Sequence, residues 1–291
     1  MEKVRDYVKR HLYKQYDFIP YCTNKTSEEW IIKIINVLLN DQNTPKAGLE
    51  RKPEWEKGWE ENLATKSLLP NYFGKYPVVR WNRKFIYADS ELEYTMFGWV
   101  LDCLFAEYLP TSHRLYEFGC GTGHNLVRAQ NFLSPTTPIN EIYGLDWADS
   151  ACEFVERIGF KAIKFDMFNP PMNPNHGYTY YIKPDSVVLT VAAMEQLGTA
   201  YRSFINYLRA QPAQLVIHVE PIGELLHENN LMDYLSLKYF EKRGYLSGYL
   251  HYLISCPDVQ ILRVERSYVG SLFIDGYSVI VWRVVKSTTP S

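Results

Sequence analysis

Three glycines at alternate positions, Gly119, Gly121 and Gly123, sit in the stretch YEFGCGTGHN behind Glu117, an acidic residue that ends an apolar run. Glycine at that spacing lets a backbone turn sharply and approach a ligand closely. In an open α/β sheet the first strand-to-helix turn is where a cofactor is cradled. A dinucleotide site uses G-x-G-x-x-G, with a helix N-terminus facing a pyrophosphate. Here the spacing is G-x-G-x-G, His124 takes the place of that motif's last glycine, and the charge of Glu117 opposes a pyrophosphate. A carboxylate there suits a ligand amino group. Further acids end later apolar runs: Asp146 in YGLDWADS, Asp166 in IKFDMFNP, Glu195 beside Gln196 in LTVAAMEQL, and Glu220 in VIHVEPIGELLHENN.

The elements that position these residues follow from periodicity. Val4, Val8 and Leu12 keep a helical spacing, and Thr26 with Glu29 forms a capping box ahead of an apolar run over 30–39. Over 40–62 the periodicity fades into polar residues and prolines, with Trp55 and Trp59 as the large apolar anchors, which predicts a surface connection with one short helix. Aromatics then interleave with Lys75, Arg80, Arg83 and Lys84, and Ser90 with Glu93 caps a helix reaching about residue 109. Beyond it, strands over 115–118, 142–145, 162–165, 186–191 and 215–219 alternate with helices over 125–132, 150–158 and 199–209, the pattern of a mainly parallel sheet. A tyrosine-rich helical region covers 231–254. Runs over 259–268 and 277–285, joined by a turn containing Gly270 and Gly276, predict an antiparallel hairpin.

These residues resemble motif I and the strand-end motifs of the class I S-adenosylmethionine-dependent methyltransferases, over roughly 200 residues from position 90 onward, a span typical of one domain. The resemblance implies an α/β fold: a Rossmann-like seven-stranded mainly parallel sheet with a C-terminal antiparallel hairpin, plus an N-terminal α-helical appendage. It divides the chain into a helical cap and acceptor-specificity region over 1–89 and a methyltransferase domain over 90–291, with a helical insertion at about 222–256. It also implies S-adenosylmethionine as cofactor. That molecule is a zwitterionic amino acid joined through a sulfonium to a nucleoside and has no phosphates. Gly119, Cys120, Gly121 and Gly123 then bring backbone amides to its carboxylate, Glu117 meets its amino group, and Asp146 accepts from ribose hydroxyls. Asp166, with Met167 beside it, falls near the adenine amino nitrogen, and Trp147 either flanks adenine or packs in the core. Glu195 and Gln196 face cofactor and acceptor. The loop NPPM at 169–172 mimics the Asn-Pro-Pro-aromatic loop of amino-group methyltransferases, but follows the third strand rather than the fourth and ends in Met172, so it reads as a proline-stiffened loop.

Methyl transfer needs positioning, exclusion of water and, for a hydroxyl acceptor, a base. Glu220 ends the fifth strand before Pro221, at the expected pocket mouth, and is the first choice for a base or acceptor contact against the alternative of a solvated loop carboxylate. Glu195 and His227 are further catalytic candidates, His227 being either a base or a surface group, while His218 inside the strand reads as a core histidine. Gln196, Tyr72, Arg80, Tyr239 and Arg243 are the candidate acceptor-binding residues, drawn from the fourth strand end and two aromatic segments that cover the sheet. Hydroxyls with arginines suit a sugar, a nucleotide-linked sugar or a carboxylated metabolite, most plausibly methylated at oxygen. The alternatives are methylation of nitrogen or of a macromolecule, and a non-catalytic binding or scaffold protein of the same fold.

Composition narrows the partners. With 31 basic against 33 acidic residues and no long basic run, nucleic acid is not expected. No apolar run spans a bilayer and the first residues lack a signal peptide's hydrophobic stretch, so a cytoplasmic protein is expected. The five cysteines are scattered with no C-x-x-C pair, which argues against a disulfide framework or a metal site. Nothing in the sequence sets an oligomeric state.

Overall fold

The computed structural model describes residues 1–133, 141–173, 177–178 and 182–285. Helices α1 (Val4–Gln15), α2 (Asn24–Asn40) and α3 (Lys52–Thr65) precede a hairpin of β1 (Val78–Trp81) and β2 (Lys84–Tyr87), and α4 (Ser90–Tyr108) follows. Then come β3 (Arg114–Phe118), α5 (His124–Leu133), β4 (Glu141–Asp146), α6 (Asp149–Arg157), β5 (Lys161–Lys164), the short pair β6 (Met172–Asn173) and β7 (Gly177–Tyr178), and β8 (Ser186–Val191). The chain ends with α7 (Tyr201–Ala210), β9 (Leu215–Glu220), α8 (Leu231–Arg243), α9 (Tyr249–Ser255), β10 (Val259–Arg266), β11 (Val269–Gly270) and β12 (Ser278–Val284).

Seven strands form one sheet in the order β10-β12-β9-β8-β3-β4-β5. β9, β8, β3, β4 and β5 run parallel, and β12 and β10 close the edge antiparallel. This is the mainly parallel sheet expected from the alternation of runs and the Rossmann-like α/β fold that the resemblance implies. The central strands are rich in β-branched residues because helices cover both faces. Along β3, Leu115 points into the core shared with α1, α4 and α5, while Tyr116 and Phe118 point into the core shared with α7 and α9. Period-2 alternation therefore carries Glu117 to the α5 face. The strand order reverses at β3, whose neighbours are β4 and β8, so a crevice opens at the carboxyl ends of these three strands.

Several local expectations change. The cap of α2 is Thr23, whose side chain accepts from Thr26 N at 3.2 Å, three residues ahead of the expected box. Asp89, not Ser90, caps α4 by accepting from Leu92 N at 2.8 Å. The aromatic-basic stretch contains the β1–β2 hairpin. β1 also pairs with β11 (Arg80↔Gly270, Trp81↔Val269), so the loop between β10 and β12 makes a longer excursion than a tight turn. That pairing crosses the division expected at residue 89. Gly244, in the left-handed region (φ 64°), ends α8 and breaks the expected long helix in two. Among the described residues no helix is long and apolar enough to cross a membrane.

Candidate active site

The turn after β3 is built by local steric need. Gly119, Gly121 and Gly123 have φ of 71°, 52° and 75°, a region that other residues rarely adopt. Close approach adds a second constraint: a Cβ on Gly119 would stand 2.4 Å from that of Ala193, and one on Gly121 2.8 Å from the Trp59 indole. Most amides of this turn are already used. Those of Gly119 and Cys120 share the Leu145 carbonyl, that of Gly123 donates to Cys120, and that of Gly121 donates to Asp146 at 3.0 Å. The glycines thus admit neighbours closely more than they offer free donors.

Glu117 is 1% exposed. Its Oε1 accepts from Asn125 Nδ2 at 2.7 Å and its Oε2 has no partner. Burial, against the pull of Asn125, pushes its pKa up to about 8. Asp146, at the end of β4, accepts from Gly121 N through Oδ2 and from Ala148 N through Oδ1, both at 3.0 Å, and burial raises its pKa to about 6. The Trp147 amide also acts on it, so of the about four acceptor sites of a carboxylate one is left for a ligand. Beside it, Trp147 stacks on Phe168 at 5.7 Å and 6°. Trp147, Met167, Asp146, Gly119 and the roof residues Trp55 and Trp59 line a narrow slot of about 70 Å³. Trp147 therefore faces the slot. Asp166 does not line it: its carboxylate is turned into its own loop, accepting from Phe168 N at 2.9 Å.

At the end of β8 a single helical turn, Met194–Leu197, carries Glu195 and Gln196. The two side chains bond to each other at 3.0 Å, leaving Glu195 Oε2 and Gln196 Oε1 buried without partners. Burial and then the nearby Glu220 raise the Glu195 pKa to about 8. Glu220 is not at the pocket mouth. It is fully buried behind the turn, accepting from the amides of Ala193 and Met194 at 3.1 Å and of Glu195 at 3.4 Å. Its carboxylate anchors the segment that presents Glu195.

A cavity of about 490 Å³ adjoins the slot, and both are lined by Trp55, Trp59, Gly119, Ala192 and Gln196. Cys120, His124, Glu195, Tyr72, Tyr239 and Arg243 reach this larger space. Tyr72 is 43% exposed, yet Glu117, Glu195 and Glu93 all act on its hydroxyl, so the surface it exposes is cavity wall. Arg80 is absent from the lining. It is fully buried, donating to Leu272 O, Met232 O and Ser236 Oγ, and ties β1 to α8. His227 is exposed outside the cavity. His218 is a buried core group bonded to Thr190 at 2.8 Å, its pKa lowered by burial to about 3.

The sequence reading missed the roof. Helix α3, expected only as one short helix in a surface connection, runs for 14 residues over the site. Trp55 and Trp59 stack at 5.6 Å, and Glu56 accepts from Asp149 N at 2.9 Å and Ser150 N at 2.8 Å, capping α6 in place of Ala148, which has no capping side chain. The available signal was two tryptophans four apart, on one helical face. Glu93 was also missed as a wall residue: its carboxylate leaves the expected box to accept from Gly74 N at 2.7 Å, and burial raises its pKa to about 7.

No family model and no curated protein matches the chain. Among solved structures it is similar to a SAM dependent methyltransferase from Aquifex aeolicus (12% identity, TM-score 0.40, covering 63% of this chain and 89% of that one). It is also similar to the plantazolicin methyltransferase BpumL in complex with SAH (13%, 0.41, 89% and 96%) and to the CurJ carbon methyltransferase (12%, 0.47, 97% and 71%). At that similarity, ligand and chemistry rest on the site itself.

Proposed function

We propose that this chain is an S-adenosylmethionine-dependent methyltransferase acting on a small polar organic acceptor, at oxygen. Glu117 carries the reading. Glu117, which itself lines neither the slot nor the larger cavity, keeps one buried carboxylate oxygen unpartnered behind a glycine turn at the switch point of the sheet, and a cation would complete it. The ammonium of an amino acid supplies that cation, whereas a pyrophosphate would be repelled. The neighbouring residues fit the rest of the molecule: Asp146 retains acceptor capacity for a ribose hydroxyl, and Trp147, Met167 and Phe168 form a flat apolar wall for a base. Asp166 has no such place, its carboxylate being satisfied within its loop.

S-adenosylmethionine, when bound, supplies a methyl group made electrophilic by its sulfonium. The protein's own residues do the remainder. Glu195 Oε2 accepts the proton of the acceptor hydroxyl, and Gln196 Oε1 takes a second donor and fixes its orientation. Glu220 holds the backbone that presents both. Trp55 and Trp59 keep water from the junction of slot and cavity, and Tyr72 walls the larger cavity. An oxygen acceptor is favoured because Glu195, a base with an unpartnered oxygen, lines the larger cavity next to Gln196 at that junction. Calorimetric titration with S-adenosylhomocysteine and with NAD tests the reading: binding of the first and not the second is expected, and the reverse overturns it.

A further inference from the structure

The larger cavity contains a buried cation that forms no direct ion pair among the described residues. Arg243, the last residue of α8, is 7% exposed, and its guanidinium lies 5.3 Å from the ring centre of Tyr245 and 6.0 Å from that of Tyr239. Among the described residues it forms no ion pair, and its Nε is buried without a hydrogen-bond partner. The Tyr245 side chain accepts a hydrogen bond from it, and the carboxylate that acts on it is Glu195, which lines the same cavity. Ring faces offset only part of the cost of burying a guanidinium, and the rest calls for an anion. Of the other cations of the cavity wall, Arg51 pairs with Glu54 although its Nη1 is buried without a hydrogen-bond partner, and Lys75 is exposed.

Two kinds of demand therefore meet in one space. Arg243 needs an oxyanion, and its planar fork matches a carboxylate. Glu195 Oε2 and Gln196 Oε1 need donors. Between and around them the walls are rings: Tyr72, Phe73, Phe97, Phe273 and Tyr277. We propose, resting on the methyltransferase reading, that the acceptor is a hydroxy acid with a ring-containing body, its carboxylate held by Arg243 and its nucleophilic hydroxyl by Glu195.

The probes are para-hydroxyphenylacetate, para-hydroxycinnamate and the matching primary carboxamides, titrated into the full chain with and without S-adenosylhomocysteine. The wild type is expected to bind the acids at least about tenfold more tightly than the amides, Arg243→Gln to lose that preference, and Arg243→Lys to keep part of it. Equal binding of acids and amides, no binding of any acid, or a preference that survives in Arg243→Gln overturns the proposal. Retained thermal midpoint checks that the glutamine variant is folded, and Arg243→Lys carries the test if it is not. If S-adenosylhomocysteine does not bind the wild type, the methyltransferase reading falls, while the acid preference is still read in the cofactor-free protein.

Discussion

The Trp59 indole lies against Gly121, so that the roof helix α3 rests directly on the glycine turn that ends β3. Slot and turn are shaped by this one contact. Gly121→Ala adds a Cβ 2.8 Å from the ring at a residue with φ 52°, and is expected to destabilise the protein by about 1–3 kcal/mol and to weaken cofactor binding. Trp59→Ala in the same chain should relieve the steric part of that loss. A double-mutant cycle on thermal midpoints checks it: additive effects would show that the two residues do not press on each other.

Glu195 must be ionised to accept a proton. Its pKa is raised to about 8, first by burial and then by Glu220, so kcat/KM is expected to rise as pH increases through about 8 and level off above it. Glu195→Gln should remove the activity. Glu220→Gln removes a negative neighbour, so it should lower activity by loosening the turn while moving the pH midpoint downward. A midpoint that stays put, or vanishes with Glu220 instead of Glu195, would reverse their roles.

The same burial sets how stability depends on pH. Glu117 and Glu195, at about 8, Glu93 and Glu220, at about 7, and Asp146, at about 6, all have folded values above the unfolded ones. Each binds its proton more tightly when folded, so its contribution is full below the unfolded pKa and is lost as pH rises through the folded one. The ligand-free protein should therefore lose thermal stability between about pH 4.5 and pH 8. S-adenosylhomocysteine, pairing its ammonium with ionised Glu117, should restore more at pH 8 than at pH 6. A thermal midpoint that climbs across this window without ligand would contradict the assignment.

Glu56 fastens the roof by capping α6. Glu56→Ala is expected to cost about 1 kcal/mol of stability and to speed release of bound S-adenosylhomocysteine. Stopped-flow displacement reads the release rate, and an unchanged rate would mean that α3 does not gate the slot.

The sheet was legible because its strands are short β-branched runs between glycines and acids, and burial on both faces demands such runs. Glu117, Asp146 and Glu195 stand out in the sequence for a related reason, since a charge at the end of an apolar strand breaks the run. The roof was not legible. Trp55 and Trp59 sit among Glu54, Glu56, Glu60 and Glu61, which read as a solvated face until α6 offers Glu56 two bare amides. Arg80 and Glu220 misled for the converse reason: a charged residue in an aromatic segment or at a strand end can also be a buried tie. Its partners come from α8 and from the turn after β8, far away in sequence.

The pairing of Glu117 with a cofactor ammonium is tested most directly by comparing two ligands in two proteins. Calorimetry measures the affinity of the wild type and of Glu117→Gln for S-adenosylhomocysteine and for methylthioadenosine, which lacks the amino-acid end. The variant should lose about tenfold or more for the first and little for the second, since only the first brings a cation to the buried carboxylate. Equal losses for both ligands, or none for either, would contradict the account.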